Sequence, residues 1–94
     1  MKVVWSRRAA AHLVAIQEHI EHDSQDAARR VAERILECVD RLQEQPLMGR
    51  PGRVRGTREL VIAGTPYIAP YRVKGDVMEM IAVFHGRQKW PRRL

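Results

Sequence analysis

The apolar residues of this chain change their spacing between its two halves, and this change constrains the fold more than any other feature. In the first half they recur every three or four positions in two stripes, over residues 9–20 and 28–42, as on amphipathic helices. Ser6 and Ser24 precede these stripes as suitable helix N-caps, and Pro46 ends the second stripe. Two consecutive helices with so short a connection are expected to pack as an antiparallel hairpin.

The second half has the composition of loops and strands. Residues 45–56 are expected to form a loop because prolines and glycines recur throughout them. Three strand-like runs follow at residues 59–62, 67–73 and 77–84, and Gly75-Asp76 is a suitable two-residue hairpin turn between the last two. Pro70 cannot donate a hydrogen bond, so a bulge or an unpaired position is expected in the middle run.

These elements predict an α+β fold with a single domain over residues 1–94, since a chain of this length leaves little room for a second domain. The predicted order is an N-terminal strand at residues 2–5, the antiparallel helix hairpin, and a three-stranded antiparallel meander that forms one sheet packed on the helices. One face of such a sheet covers the helices, and the other is left free to bind a partner.

Several protein classes are excluded by composition. One cysteine, Cys38, can form neither an internal disulfide nor a thiolate metal site. His12, His19 and His22 lie on or beside the first helix but lack a further ligand, so neither a metal nor another cofactor is expected. No apolar run approaches the roughly 20 residues of a transmembrane helix, and arginines interrupt the region where a signal peptide would be apolar. The chain is therefore expected to be cytoplasmic, without a membrane partner.

The positive charge of the chain is concentrated in its second half. The formal net charge of +6 divides into −1 over residues 1–49 and +7 over residues 50–94. Clustered basic charge attracts nucleic acid, an acidic protein surface or anionic lipid, so the partner is expected to be acidic. The basic groups of the second half occur in three places: Arg50, Arg53, Arg55 and Arg58; Arg72 and Lys74; and His85, Arg87 and Lys89.

Arginine and histidine in these positions suggest one kind of chemistry. Arginines can bind phosphates, and His85 could move a proton in RNA transesterification. These groups could act together because the end of the last strand of an antiparallel meander lies near the end of its first strand. A solvated basic face that carries out no chemistry is the alternative for each arginine. For His85 the alternative is a hydrogen-bonded structural role at a strand end.

Three fragments, in this order and spacing, resemble the RelE/ParE superfamily of type II toxins. They are Pro46-x-x-Gly-Arg-Pro-Gly-Arg-Val-x-Gly-Thr-Arg-Glu-Leu, Pro66-Tyr67-Ile68-x-x-Tyr71-Arg72-Val73 and Val83-x-His85-Gly86-Arg87-x-x-Trp90-Pro91. The resemblance covers nearly the whole chain. It implies a helix pair packed on a sheet, growth arrest, and a cognate antitoxin whose acidic C-terminal segment folds over the toxin in a hetero-oligomer. An acidic peptide that folds on binding is physically compatible with a basic sheet.

The resemblance implies one of two targets. RelE-like members cut messenger RNA on the ribosome, with an arginine in the central strand, another near the last strand, and a C-terminal tyrosine or histidine. Here Ile68 stands at the first position and Arg87 matches the second, while Trp90 cannot act as an acid or base. A nuclease site would therefore depend on four residues: His85, Arg87, Arg58 and Arg72.

ParE-like members inhibit DNA gyrase instead. The fragments Arg58-Glu59-Leu60 and His85-Gly86-Arg87 are more similar to these members, so the resemblance favours a non-catalytic gyrase inhibitor. A ribosome-dependent mRNA endoribonuclease is the alternative. The residues expected to contact the target are Arg50, Arg53, Arg55, Arg58, Lys89 and Trp90.

Overall fold

A computed structural model describes residues 1–94. Two helices cover one face of a six-stranded sheet, so the predicted α+β class is confirmed. Neither helix combines the length and hydrophobicity that crossing a bilayer requires. In chain order the elements are β1 (Lys2–Trp5), α1 (Arg7–Glu21), α2 (Gln25–Glu44), β2 (Arg50–Pro51), β3 (Arg58–Val61), β4 (Tyr67–Lys74), β5 (Val77–Met80) and β6 (Phe84–His85).

Both helices begin at the predicted caps. The Ser6 hydroxyl accepts a hydrogen bond from the Ala9 amide at 2.9 Å, and the Ser24 hydroxyl accepts one from the Ala27 amide at 3.1 Å. Each bond satisfies an amide that has no partner within the first turn. α2 ends at Glu44, as Pro46 requires. The apolar stripe of α2 is buried at Ala28, Ala32, Ile35, Val39 and Leu42, and the last three of these join the core formed with the sheet.

The sheet contains more strands than the predicted meander. Its order is β1-β5-β4-β3-β2, with β1 parallel to β5 and the other neighbours antiparallel, and β6 also pairs with β4. The N-terminal strand therefore belongs to the same sheet, where the Lys2 amide donates to the Asp76 carbonyl at 2.8 Å. The expected loop at residues 45–56 contains the short strand β2, which pairs with the start of β3. A pattern of apolar spacing cannot predict these pairings, because it contains no information on which strands meet.

The run expected to form one strand at residues 77–84 is interrupted. β5 pairs Met80 with Tyr71, whereas β6 pairs Phe84 with Ile68, so three residues oppose only Ala69 and Pro70 on β4. This one-residue excess is a bulge. The Pro70 carbonyl accepts from the Ile81 amide at 2.9 Å, so the nitrogen of Pro70, which has no hydrogen to donate, faces the same bulged segment. The irregularity expected at Pro70 is confirmed.

The bulge reverses the face on which His85 lies. A regular strand over residues 77–85 would place His85 on the same face as Glu79, because side chains alternate between the two faces along a strand. Instead Glu79 pairs with Arg72 on the face away from the helices, and His85 pairs with Tyr67 on the helix-covered face. An extra residue moves every later side chain to the opposite face. The face without helices, called the helix-free face below, carries Glu59, Val61, Ile68, Arg72 and Glu79.

Candidate functional site

The four residues of the predicted nuclease set lie toward opposite ends of β4. Arg58 pairs with Tyr71, and Arg58 and Arg72 line one shallow cleft together. His85 pairs with Tyr67, four positions earlier on β4, which corresponds to about 13 Å along a strand. The set therefore forms two groups, Arg58 with Arg72 and His85 with Arg87, and no single cluster of all four.

Arg58 and Tyr71 hold the loop that follows α2. One Arg58 guanidinium nitrogen donates to the Leu47 carbonyl at 3.1 Å and to the Gly49 carbonyl at 2.8 Å. The buried Tyr71 hydroxyl accepts from the Gly49 amide at 2.9 Å and donates to the Pro46 carbonyl at 2.8 Å. Burial raises the pKa of Tyr71. Because its hydrogen bonds are made to backbone groups, Arg58 fixes the start of the loop that carries Arg50, Arg53 and Arg55, called the arginine-bearing loop below.

A buried carboxylate organises two of the predicted target-binding arginines. Glu59 is only 3% exposed, and its Oε1 accepts from Arg50 at 3.0 and 3.1 Å. Its Oε2 accepts from the Arg53 amide at 2.8 Å and from the Arg53 side chain at 3.2 Å. Burial alone would raise the pKa of Glu59, but these hydrogen bonds outweigh it and lower the pKa. Glu59 is therefore held as a carboxylate beneath the basic loop.

An aromatic stack joins this network to the residues after β6. The Arg53 guanidinium lies 3.7 Å from the centre of the Trp90 ring, a cation–π contact. Trp90 in turn packs against Phe84, with ring centres 4.8 Å apart, and both belong to a small apolar cluster with Ile81 and Leu94. The sequence predicts target binding for Trp90, and no local pattern in it connects Trp90 to Arg53. One signal in the sequence could have indicated the pairing of Glu59 with arginines: it is the single acidic residue among the six Lys and Arg residues of positions 50–75.

His85 lies beside a cleft between the helices and the sheet. Its Nδ1 accepts from the Arg87 amide at 3.1 Å, so Nε2 is the nitrogen left for an outside partner. Its ring meets the Tyr67 ring edge-on at 5.8 Å. The Arg87 side chain is exposed. The cleft has a volume of about 610 Å³, and its lining includes His12, Ile16, Ile20, Tyr67, Val83 and His85.

His12 makes a partly buried contact that the sequence does not predict. Its Nδ1 accepts from the Val83 amide at 3.1 Å, which joins α1 to the bulged segment before β6. Burial lowers the pKa of His12, and the nearby charge of Arg8 lowers it further. The contact spans most of the chain, so no local pattern could have indicated it.

The remaining predicted residues differ in whether their charged side chains have an ion-pair partner. Arg55 and Lys89 are exposed, whereas Arg72 lies 3.6 Å from Glu79 across the sheet. Ile68 is half-buried on β4, with Val61 and Phe84 as its neighbours on the adjoining strands. The helix-free face thus has the apolar Ile68 at its centre and charges of both signs around it, because Arg72 pairs with Glu79 and Glu59 pairs with Arg50 and Arg53. Among the predicted target-binding residues, Arg55 and Lys89 keep charges that are free to contact an acidic surface.

Comparisons with known proteins agree on one family. The family model described as the ParE toxin of the type II toxin–antitoxin system parDE matches residues 3–90. The chain is 50% identical to the toxin named Y4kP of Sinorhizobium fredii, over 99% of this chain and 96% of that protein. It is 37% identical to toxin RelE2 of Caulobacter vibrioides, over 89% of this chain and 93% of that one.

A solved structure agrees with the sequence relatives. A chain of the chromosomal ParDE toxin–antitoxin system from P. aeruginosa superposes with a TM-score of 0.82 at 34% identity, covering 90% of this chain and 95% of that chain. The resemblance found in the sequence is thereby confirmed. The chain belongs to the ParE toxin family of type II toxin–antitoxin systems.

Proposed function

We propose that this ParE-family toxin arrests growth by binding DNA gyrase and inhibiting it without catalysing a reaction of its own. The observation that carries the proposal is the arrangement along β4. The basic residues that would have to act together in a nuclease lie toward opposite ends of that strand, and the apolar Ile68 lies on the helix-free face between them. The side chain of Ile68 has no charge and no exchangeable proton, so it can neither bind a phosphate nor act as an acid or base.

The contacts to gyrase are assigned to the basic residues whose side chains point into solvent. Arg55, Arg87 and Lys89 are exposed and make no side-chain hydrogen bond within the chain. Arg50 and Arg53 share the carboxylate of Glu59, so their charges are partly neutralised. The exposed groups therefore supply the electrostatic attraction to an acidic target, and the arginines bound to Glu59 shape the surface.

The partner that controls this surface is an antitoxin, because the chain belongs to a toxin family of type II toxin–antitoxin systems. We assign to that antitoxin an acidic C-terminal segment that folds over the basic half of the toxin in a hetero-oligomer. The support is charge, because residues 50–94 carry a net charge of +7. A disordered acidic segment that folds on this surface forms ion pairs with it and buries apolar side chains against it.

The test is a supercoiling assay with purified gyrase and purified toxin. We expect inhibition by the wild type and at least a tenfold loss of potency in Arg87→Ala with Lys89→Ala, since each lost charge contact contributes on the order of 1 kcal/mol. The matched control is Arg29→Ala, which removes an exposed arginine from the helix side. Unimpaired supercoiling at saturating wild-type toxin would refute the proposal.

Ribosome-dependent cleavage of messenger RNA is the second candidate, favoured by one observation. His85 lines a cleft, and its Nδ1 accepts from the Arg87 amide, which leaves Nε2 free to move a proton. The Arg87 side chain is exposed two residues later and is free to bind a phosphate. Induction of the toxin without its antitoxin separates the candidates. Messenger cut on ribosomes, abolished by His85→Ala, would support the nuclease, whereas a DNA-damage response with intact messenger would support gyrase inhibition.

A further inference from the structure

The C-terminal segment, residues 86–94, carries four basic residues and no acidic one. We propose that Glu59 is a positioning residue for this segment: by holding Arg53 it fixes Trp90, and Trp90 anchors the segment to the helix-free face. The inference rests on the proposed function only for its consequence at the target. The anchoring itself can be measured on the isolated toxin.

Glu59 fixes Arg53 at two points. The carboxylate accepts one hydrogen bond from the Arg53 backbone amide and another from its Nε, at 2.8 and 3.2 Å. The other carboxylate oxygen is occupied by Arg50, so the carboxylate cannot rotate without breaking those bonds. Charge-assisted bonds of this kind are stronger than bonds between neutral groups. The plane of the Arg53 guanidinium is thereby set before any target arrives.

Trp90 is the anchor because the backbone of its segment has few other attachments. The Gly86 amide donates to the Pro66 carbonyl and the Gln88 amide donates to the His85 carbonyl, but residues 89–94 make no hydrogen bond or ion pair within the chain. Side-chain packing holds residues 89–94 in place: Trp90 lies between Arg53 and Phe84, and Leu94 packs on the apolar cluster that includes Phe84. Without Arg53 over its ring, Trp90 keeps one of its two stacking partners.

Charge makes Glu59 necessary for this arrangement. Arg50 and Arg53 approach the same point of the sheet, and one carboxylate lies between them. Without that carboxylate the two guanidinium groups repel each other, and nothing directs Arg53 toward Trp90 instead of solvent. Glu59 therefore sets the position of charges that lie far from it in sequence: Arg87, Lys89, Arg92 and Arg93.

The first test follows release of the segment in a Trp5→Phe background, where Trp90 is the remaining tryptophan. We expect Glu59→Gln to shift Trp90 emission to longer wavelength and to raise the rate of trypsin cleavage after Arg87 by about tenfold, because a cation–π contact is lost. Arg55→Gln is the matched control: it removes an exposed arginine from the same loop and should leave both readouts unchanged.

A double-mutant cycle separates positioning from general stability. Trp90→Ala should raise cleavage after Arg87 at least as much as Glu59→Gln does, because it removes both stacking contacts, and Glu59→Gln should add nothing in the Trp90→Ala background. Additive effects, or unchanged emission and cleavage in Glu59→Gln, would overturn the inference. If Glu59→Gln loses helical circular dichroism, Arg53→Lys replaces it: the charge stays, the planar stack is lost, and the same release is expected.

Failure of the inference and failure of the proposed function are distinguishable. Both readouts use the toxin alone, so they can succeed while gyrase supercoiling is unaffected, which would refute only the proposed function. If gyrase is inhibited equally by wild type and by a variant with a released segment, the function stands and the importance of positioning is refuted.

Discussion

The Tyr71 hydroxyl offers the sharpest test of how the arginine-bearing loop is held in place. Tyr71→Phe removes a single oxygen from a fully buried side chain and leaves the ring in contact with the core. That oxygen accepts from the Gly49 amide and donates to the Pro46 carbonyl, and both residues lie within the four positions before Arg50. The substitution therefore breaks the attachment of the loop without creating a large cavity.

The expected loss is about 2–3 kcal/mol in the free energy of unfolding. Gly49 is buried, so its amide loses its acceptor with no replacement from water, which costs about 1–3 kcal/mol. Pro46 is half-buried, so water can reach its carbonyl and the second loss adds only about 0.5–1 kcal/mol. For a chain of this size such a change lowers Tm by roughly 10–20 °C.

The measurement is urea unfolding followed by circular dichroism, with Tyr67→Phe as the matched control. Tyr67 is also buried on β4, but its hydroxyl makes no hydrogen bond within the chain, so its loss should cost less than about 0.5 kcal/mol. The midpoint should fall in Tyr71→Phe at an unchanged slope. Equal stabilities of the two variants would refute this account of the loop.

Two further predictions concern the helix caps and His12 on α1. Ser6→Ala should cost about 2 kcal/mol and Ser24→Ala about 1 kcal/mol in urea unfolding, because both cap a helix but only Ser6 also donates to the Ile81 carbonyl, at 2.7 Å. Burial lowers the pKa of His12, so below about pH 6.5 the unfolded chain takes up the proton first and the free energy of unfolding decreases as the pH falls further. His12→Asn keeps an acceptor for Val83 and should flatten this loss, whereas His19→Asn should leave it unchanged; the opposite ranking would contradict the prediction.

Much of the fold was predictable because its determinants are local. The spacing of Ile35, Val39 and Leu42 is the period of a helix, and these residues are buried as that period requires. Ser6 and Ser24 act within three residues of themselves, and Pro46 acts on the turn before it. The strands at β3 and β4 were located because their apolar runs are bounded by glycine and proline.

The candidate site was less predictable, since it depends on which residues meet. The sequence identified the basic residues and their order, but it treated Arg50, Arg53 and Arg58 as equally available to a target. The structure gives Arg58 to backbone carbonyls and gives Arg50 and Arg53 to Glu59. A count of charges cannot distinguish a guanidinium in solvent from one already paired.

The sequence by itself determined the α+β class, the two capped helices, the irregularity at Pro70 and the excess of positive charge after residue 49. These follow from composition and from spacings of a few residues. Only the tertiary structure decided that β1 joins β5, that His85 faces the helices, and that Trp90 stacks on Arg53. The physical reason is register: one extra residue in the segment before β6 reverses the faces, and contacts between distant residues depend on that register.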